Sequence, residues 1–270
     1  MKTQVILKRI QAPVGTSIRL ADWDPGDKMT FSKGQAQLRL ESNLQRLREL
    51  QFRLYAENRQ ALLVVLQAMD AGGKDGAIRH VFGPLNPQGC RVVPFKAPTQ
   101  PELARDFLWR IHTQVPKQGE IGVFNRSHYE DVLIARVRSL VPASVWKKRY
   151  RHINDFERLL AETGTRIVKV YLHIDKAEQR KRLQARMDDA TRHWKLDPAD
   201  LEERKLWDQY IEAYEEALSR CNSARAPWHI IPANRKWFRN LALSELLLAT
   251  LEDMNPQFPE PKHDHPVKCS

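Results

Sequence analysis

The chain has 270 residues, 42% hydrophobic and 29% charged, enough for one large α/β domain or two small ones with a well-buried core. No apolar run approaches the roughly 20 residues of a membrane span, and the apolar part of Met1–Arg9 is too short for a secretory signal, so the cytoplasm is the expected compartment. A formal charge of +11 attracts anions, whether nucleic acid, anionic lipid or highly phosphorylated small molecules, without choosing among them.

Residues 1–34 read as an irregular arm, with turn chemistry at Asp22-Trp23-Asp24-Pro25-Gly26. Leu40, Leu44, Leu47, Leu50 and Leu54 then recur at helical spacing and predict a helix over 35–58. The bare run Leu62–Leu66 predicts a strand buried on both faces, followed by strands at 91–95, 120–124, 167–174 and 228–231. Between and after them, helices are predicted at 100–115, 128–140, 154–162, 176–189, 198–221 and 237–251. Strands alternating with helices argue for a parallel sheet covered on both faces. The expected organisation is one domain over 35–254, with a helical excursion near 176–222 and a Pro-rich tail over 255–270.

The first strand runs into Ala68-Met69-Asp70-Ala71-Gly72-Gly73-Lys74-Asp75-Gly76, with a helix able to begin near Lys74. A buried strand end, a glycine loop and a helix start are the context of a phosphate-binding loop. Glycines allow the backbone to approach phosphate closely, and Lys74 brings a mobile positive charge. The strict pattern G-x-x-x-x-G-K-[ST] is not met: Ala68 replaces the first glycine and Asp75 the hydroxyl that would touch Mg²⁺. Asp70 is the telling residue, because a carboxylate in such a loop repels its own ligand unless a metal or an acceptor group balances it. After the third strand, Asn125 and Arg126 occupy the place where a phosphate-loop fold can set a polar residue to orient metal or nucleotide.

Taken together, Met69–Gly76 and Phe124–Asp131 resemble the family-2 polyphosphate kinases, and the likeness continues through Phe95–Thr99, Lys148–Glu157, Trp194-Lys195, Asp200–Glu202 and Ala226–Trp228. It covers about residues 35–250. The resemblance implies a P-loop kinase-like three-layer α/β/α sandwich with a mostly parallel five-stranded sheet and a helical lid over about 176–222. It implies Mg²⁺-dependent phosphate transfer between inorganic polyphosphate and AMP, ADP or ATP, by a homo-oligomer (dimer or tetramer) without membrane or nucleic-acid partners. The catalytic residues so implied are Asp70 (also the metal ligand), Lys74, Asn125 and Arg126, with the lid arginines Arg182 and Arg186. Ala71, Gly72, Gly73, Asp75, Gly76, Arg79, Lys96 and Lys195 would bind phosphate; Asn125, Glu130 and Asp200 would bind nucleotide. Asn125 with Glu130 is similar to the class III subgroup, which accepts both AMP and ADP, where many other members carry Asp at the first position.

A basic groove for polyphosphate is expected from Arg79, Lys96, Arg136, Lys147, Lys148 and Arg149. Two rival readings stand beside this one: a kinase of the same fold with ATP as donor, and a non-catalytic nucleic-acid-binding protein exploiting the charge. Cys90, Cys221 and Cys269 share no metal-type spacing, His263-Asp264-His265 lies in the Pro-rich tail and is not read as a metal site, and Trp194, Trp207, Trp228 and Trp237 read as packing residues.

Overall fold

A computed structural model of the protein describes residues 2–195 and 198–260, with all their side chains except those of Lys2, Arg192, Lys195 and residues 198–200. In chain order come α1 (Lys2–Ile10), α2 (Lys33–Glu57), β1 (Ala61–Gln67), α3 (Lys74–Ala77), β2 (Cys90–Pro94), α4 (Gln100–Leu103), α5 (Trp109–His112) and β3 (Ile121–Asn125). They are followed by α6 (Ile134–Val137), α7 (Ala143–Glu162), β4 (Thr165–His173), α8 (Lys176–Met187), α9 (Pro198–Lys205), α10 (Trp207–Arg220), β5 (Trp228–Pro232) and α11 (Lys236–Met254). The five strands form one sheet in the order β2-β3-β1-β4-β5, and every pairing is parallel.

All seven residues of β1 are buried, as a central strand with helices on both faces requires. Val64 aligns with Val123 of β3 and Val168 of β4, so the three strands share one apolar layer. The chain leaves β1 toward the β2 edge, returns at β3, then crosses β1 to reach β4. In open parallel sheets, ligands bind outside the carboxyl ends of the strands at such a reversal. Here that places the segments after β1 and β3 side by side.

The predicted helix 198–221 is divided at Leu206 into α9 and α10, and three others differ more, each for a local reason. The stretch 100–115 begins with a Thr99–Glu102 capping box, but Asp106 Oδ1 then accepts from Leu108 N at 3.0 Å and ends the helical path, leaving α4 and α5. The stretch 128–140 opens as a 3₁₀ turn over His128–Asp131, with Ser127 Oγ accepting from Tyr129 N at 3.2 Å, before the short α6. By contrast α7 starts at Ala143, well before 154. Its buried Trp146, Tyr150, Ile153, Phe156 and Leu160 keep helical spacing, while the basic run at 147–151 between them is mainly solvent-facing and masks the pattern.

The N-terminal arm is more ordered than the sequence suggests. Ile6 and Ile10 of α1 are fully buried, and Ala12 N donates to Trp228 O at 2.9 Å beside an antiparallel bridge between Gln11 and His229. Farther along, Ile18 N and Leu20 N donate to Ser219 Oγ and Glu215 Oε1 of α10. On the other long contact, α2 packs on α11, where the buried Glu245 carboxylate accepts from Arg39 and from Asn43 Nδ2. Among the described residues no helix is long and apolar enough to cross a membrane.

Candidate active site

The loop between β1 and α3 has all its carbonyl oxygens tied to the protein. Ala68 O accepts from Lys74 Nζ and Tyr214 Oη, both at 3.0 Å, and Met69 O accepts from Gly72 N at 2.9 Å. Asp70 O accepts from Gln179 Nε2 at 3.0 Å, while Arg182 Nη1 serves Ala71 O and Gly72 O at 3.1 and 2.9 Å. Gly73 O takes both Ala77 N and Arg239 Nη1 at 3.0 Å. The C=O and N–H of a trans peptide point in opposite directions, so carbonyls held from below leave N–H groups facing out. Among the described residues, the N–H groups of Met69, Asp70, Ala71, Gly73 and Lys74 donate to no protein acceptor. Successive N–H groups turned to one side make a concave anion site.

Two glycines are sterically required. A Cβ on Gly72 would stand 2.5 Å from Ala68 Cβ and 2.7 Å from Met69 O; Gly73 has φ of +102°, and its Cβ would meet Arg239 Nη1 at 2.2 Å. Ala71, at φ +59°, holds a left-handed conformation with a side chain present.

The segment after β3 closes on this loop. Arg126 also has a positive φ, +63°, and its N–H donates to Leu66 O at 3.1 Å. That turn aims its guanidinium back across the cleft, where Nη2 meets Asp70 Oδ1 at 2.8 Å and Nη1 lies 3.8 Å from Glu130. Asn125 Nδ2 donates to Asp75 Oδ1 at 3.0 Å, joining the end of β3 to the start of α3. Glu130 and Asp70 hold the Arg126 proton more tightly than usual, against burial. Burial pushes the Glu130 carboxyl above its usual range, opposed by Arg126 and Lys74. The Lys74 ammonium is pushed down, first by burial and then by Arg126, with Asp70, Glu130 and Asp75 pulling the other way. A site that strains its lysine in this way gains from an incoming anion.

The family model for polyphosphate kinase 2 matches residues 30–259. The chain belongs to this family. It is 53% identical to the AMP/ADP-polyphosphate phosphotransferase of Meiothermus ruber over 95% of this chain and 97% of that one. Identity is 45% to the ADP-polyphosphate phosphotransferase of Rhodopseudomonas palustris, over 94% and 92% of the two chains. The crystal structure of polyphosphate kinase 2 from Arthrobacter aurescens superposes with a TM-score of 0.93 at 45% identity, covering 96% of this chain and 93% of that one.

Within this polyphosphate kinase 2 fold, Asp70, Lys74, Asp75, Asn125, Arg126 and Glu130 converge on one cleft. Arg182 departs from the expectation of an outward lid arginine. It is buried and paired with Glu178 at 2.7 Å, and it points beneath the loop, where Ala233 O and Asn234 O also accept from it. Arg186, one turn on, is half-buried. Arg79 and Lys96 are exposed beyond the loop and beyond β2. The side chains of Lys195 and Asp200 lie outside the described residues, as does His263-Asp264-His265. Of the groove candidates, Arg136 is engaged with Glu216 at 2.6 Å and Arg149 with Asp131 at 3.0 Å, whereas Lys147 and Lys148 are exposed. Trp194 is 78% exposed, so it does not belong to the core that holds Trp207 and Trp228.

Sequence reasoning missed Gln179, Tyr214 and Arg239, which support the loop from α8, α10 and α11. Arg239 carried a signal: with Asn240 it interrupts the apolar stretch from Trp237 to Leu243, and a charge in that position needs a partner.

Proposed function

We propose that the chain transfers the terminal phosphoryl group of inorganic polyphosphate to ADP and to AMP, reversibly, in the cytoplasm and as a homo-oligomer. Its membership of a polyphosphate-dependent nucleotide phosphotransferase family supplies the reaction class. The observation that carries the site assignment is the loop with its carbonyls held below and its N–H groups outward, facing the Asp70–Arg126 pair. Phosphoryl transfer needs little covalent chemistry from a protein and depends on positioning and charge. The outward N–H groups hold phosphate oxygens, and Lys74, released from Ala68 O, follows the phosphoryl group in flight. Arg126 neutralises charge building on the equatorial oxygens, kept in place by Asp70. Arg186 lies on the helix beside the loop and is the remaining lid candidate. Asn125 presents Asp75 with a neutral amide instead of a second carboxylate, and together with Glu130 it supports AMP use, as does the likeness to the AMP/ADP-polyphosphate phosphotransferase of Meiothermus ruber.

Among the described residues no cluster of three or more His, Cys, Asp or Glu could cage a metal. That suits Mg²⁺, which binds through one or two carboxylates plus substrate phosphates. Asp70 would hold it, with Asp75 nearby, and the ion when bound would neutralise phosphate charge. Protein, Mg²⁺, long-chain polyphosphate and AMP or ADP, followed by resolution of the nucleotides, test the reading. ADP from AMP and ATP from ADP are expected, and Asp70→Asn and Lys74→Ala should each lose most activity. Transfer from ATP but not from polyphosphate would make it an ordinary nucleotide kinase, and unchanged rates in both variants would remove the site assignment.

A further inference from the structure

Beneath the loop sits a charge that the described residues do not balance. Arg239 is 2% exposed. Its Nε and Nη2 donate to Asn240 Oδ1 at 3.1 and 2.7 Å, and its Nη1 donates to Gly73 O at 3.0 Å. Neither acceptor carries a formal charge, and among the described residues no carboxylate lies within ion-pair distance of it. A second charge of the same sign lies close by: a Cβ on Gly73 would stand 2.2 Å from Arg239 Nη1 and 3.2 Å from Arg182 Nη1. Arg182 has Glu178 as its partner, so the pair of guanidiniums carries one surplus positive charge.

We propose that Arg239 is a positioning residue of the phosphate loop, a buried cation whose counter-charge is the phosphate of the bound substrate. A buried ion without a partner costs stability, and such a group persists where binding uses it. Its position fits that use. By holding Gly73 O from below, Arg239 turns the Lys74 N–H outward, and its charge lies directly under the loop's outward-facing N–H groups. The glycines at 73 and 76 leave the room it fills, since a Cβ at Gly76 would lie 3.1 Å from Arg239 Nη2. Burial and the neighbouring Arg182 push the guanidinium down to about 10, which leaves it cationic at neutral pH. The inference rests on the loop binding phosphate and goes further, by assigning a charge in α11 to that binding.

The test uses the full-length enzyme with Arg239→Met and Arg239→Lys, and tripolyphosphate as the probe. Thermal unfolding is followed with and without tripolyphosphate, and its Kd is measured across a salt series. The Met variant should have an unliganded Tm no lower than the parent, a Kd about tenfold weaker, and a shallower salt dependence. The Lys variant should stay within about threefold of the parent because it keeps the charge. A Met variant that unfolds more readily, or does not fold, while the Lys variant binds normally would show Arg239 to be a structural strut. Equal weakening in both variants would show that hydrogen-bond geometry, and not charge, is what matters; either result overturns the proposal. A parent enzyme that does not bind tripolyphosphate would instead sink the phosphate-loop reading itself, so the two failures are distinct.

Discussion

Replacing Glu157 by Gln should destabilise the enzyme and slow transfer, although residue 157 touches no part of the cleft. Lys169, in the middle of β4, is fully buried, with Nζ donating to Glu157 Oε2 at 2.6 Å, to Tyr129 Oη at 2.9 Å and to Cys221 O. Glu157 also accepts from Tyr129 Oη at 2.7 Å and lies 3.2 Å from His128 Nε2. Burial alone would raise this carboxyl, but Lys169 and His128 bring it below its usual range. Gln keeps the volume and one acceptor oxygen but strands the Lys169 charge. Breaking a buried pair from one side costs about 3–5 kcal/mol, and the retained acceptor argues for about 3. In a domain of this size Tm shifts by roughly 2–4 °C per kcal/mol, so a fall of about 6–12 °C is expected. Adding Lys169→Met should recover more than half of that loss by removing the stranded charge. Because Tyr129 lies in the segment after β3 that carries Arg126 and Glu130, kcat should fall at temperatures where the variant is fully folded. Scanning calorimetry on the two variants and the double variant provides the measurement. A Glu157→Gln shift within about 2 °C, or a further loss on adding Lys169→Met, would refute the reasoning.

Three more outcomes follow from the geometry. Gly73→Ala should cost roughly 1–3 kcal/mol of strain and, by driving a methyl into Arg239, lower kcat/KM about 100-fold or more; a variant with parental kinetics would show that the loop can relax. Because burial and Arg126 depress the Lys74 ammonium, its charge is lost as pH rises through a value below the ordinary lysine range, and kcat/KM for polyphosphate should decline there. The residual activity of Lys74→Arg should lack that alkaline limb, and its persistence would assign the limb to another group. Burial holds His229, which faces Lys169 O at 3.2 Å, down to about 4. The unfolded chain then binds more protons between that value and the ordinary 6.5, so stability should fall by about 3 kcal/mol as pH drops through this window. His229→Gln should flatten the acid limb of urea unfolding, and an unchanged slope would remove His229 as its source.

Much of this was legible from the chain alone. A central strand must be apolar throughout, so Ala61–Gln67 announces itself, as do the alternation of strands and helices and the glycine loop that follows. Asp70 stood out because a carboxylate has no evident role in a structural turn, and Asn125-Arg126 because of their place at the end of the third strand. Helix ends were less legible where one side chain redirects the backbone, as Asp106 and Ser127 do. The first half of α7 hid behind its own solvent-facing lysines and arginines.

Local pattern therefore determined the sheet and the loop, because burial period and backbone permissiveness are written within a few residues, while the roles expected of Asn125, Arg126 and Glu130 came from the family resemblance. Tertiary structure alone decided what the arginines do. Arg182 lies on a helix that reads as solvated, yet it serves a carbonyl 110 positions away; Arg239 serves one 166 positions away. No periodicity encodes such pairings. They exist because a buried guanidinium must find acceptors, and the underside of the loop that the folded sheet brings above it supplies several of them.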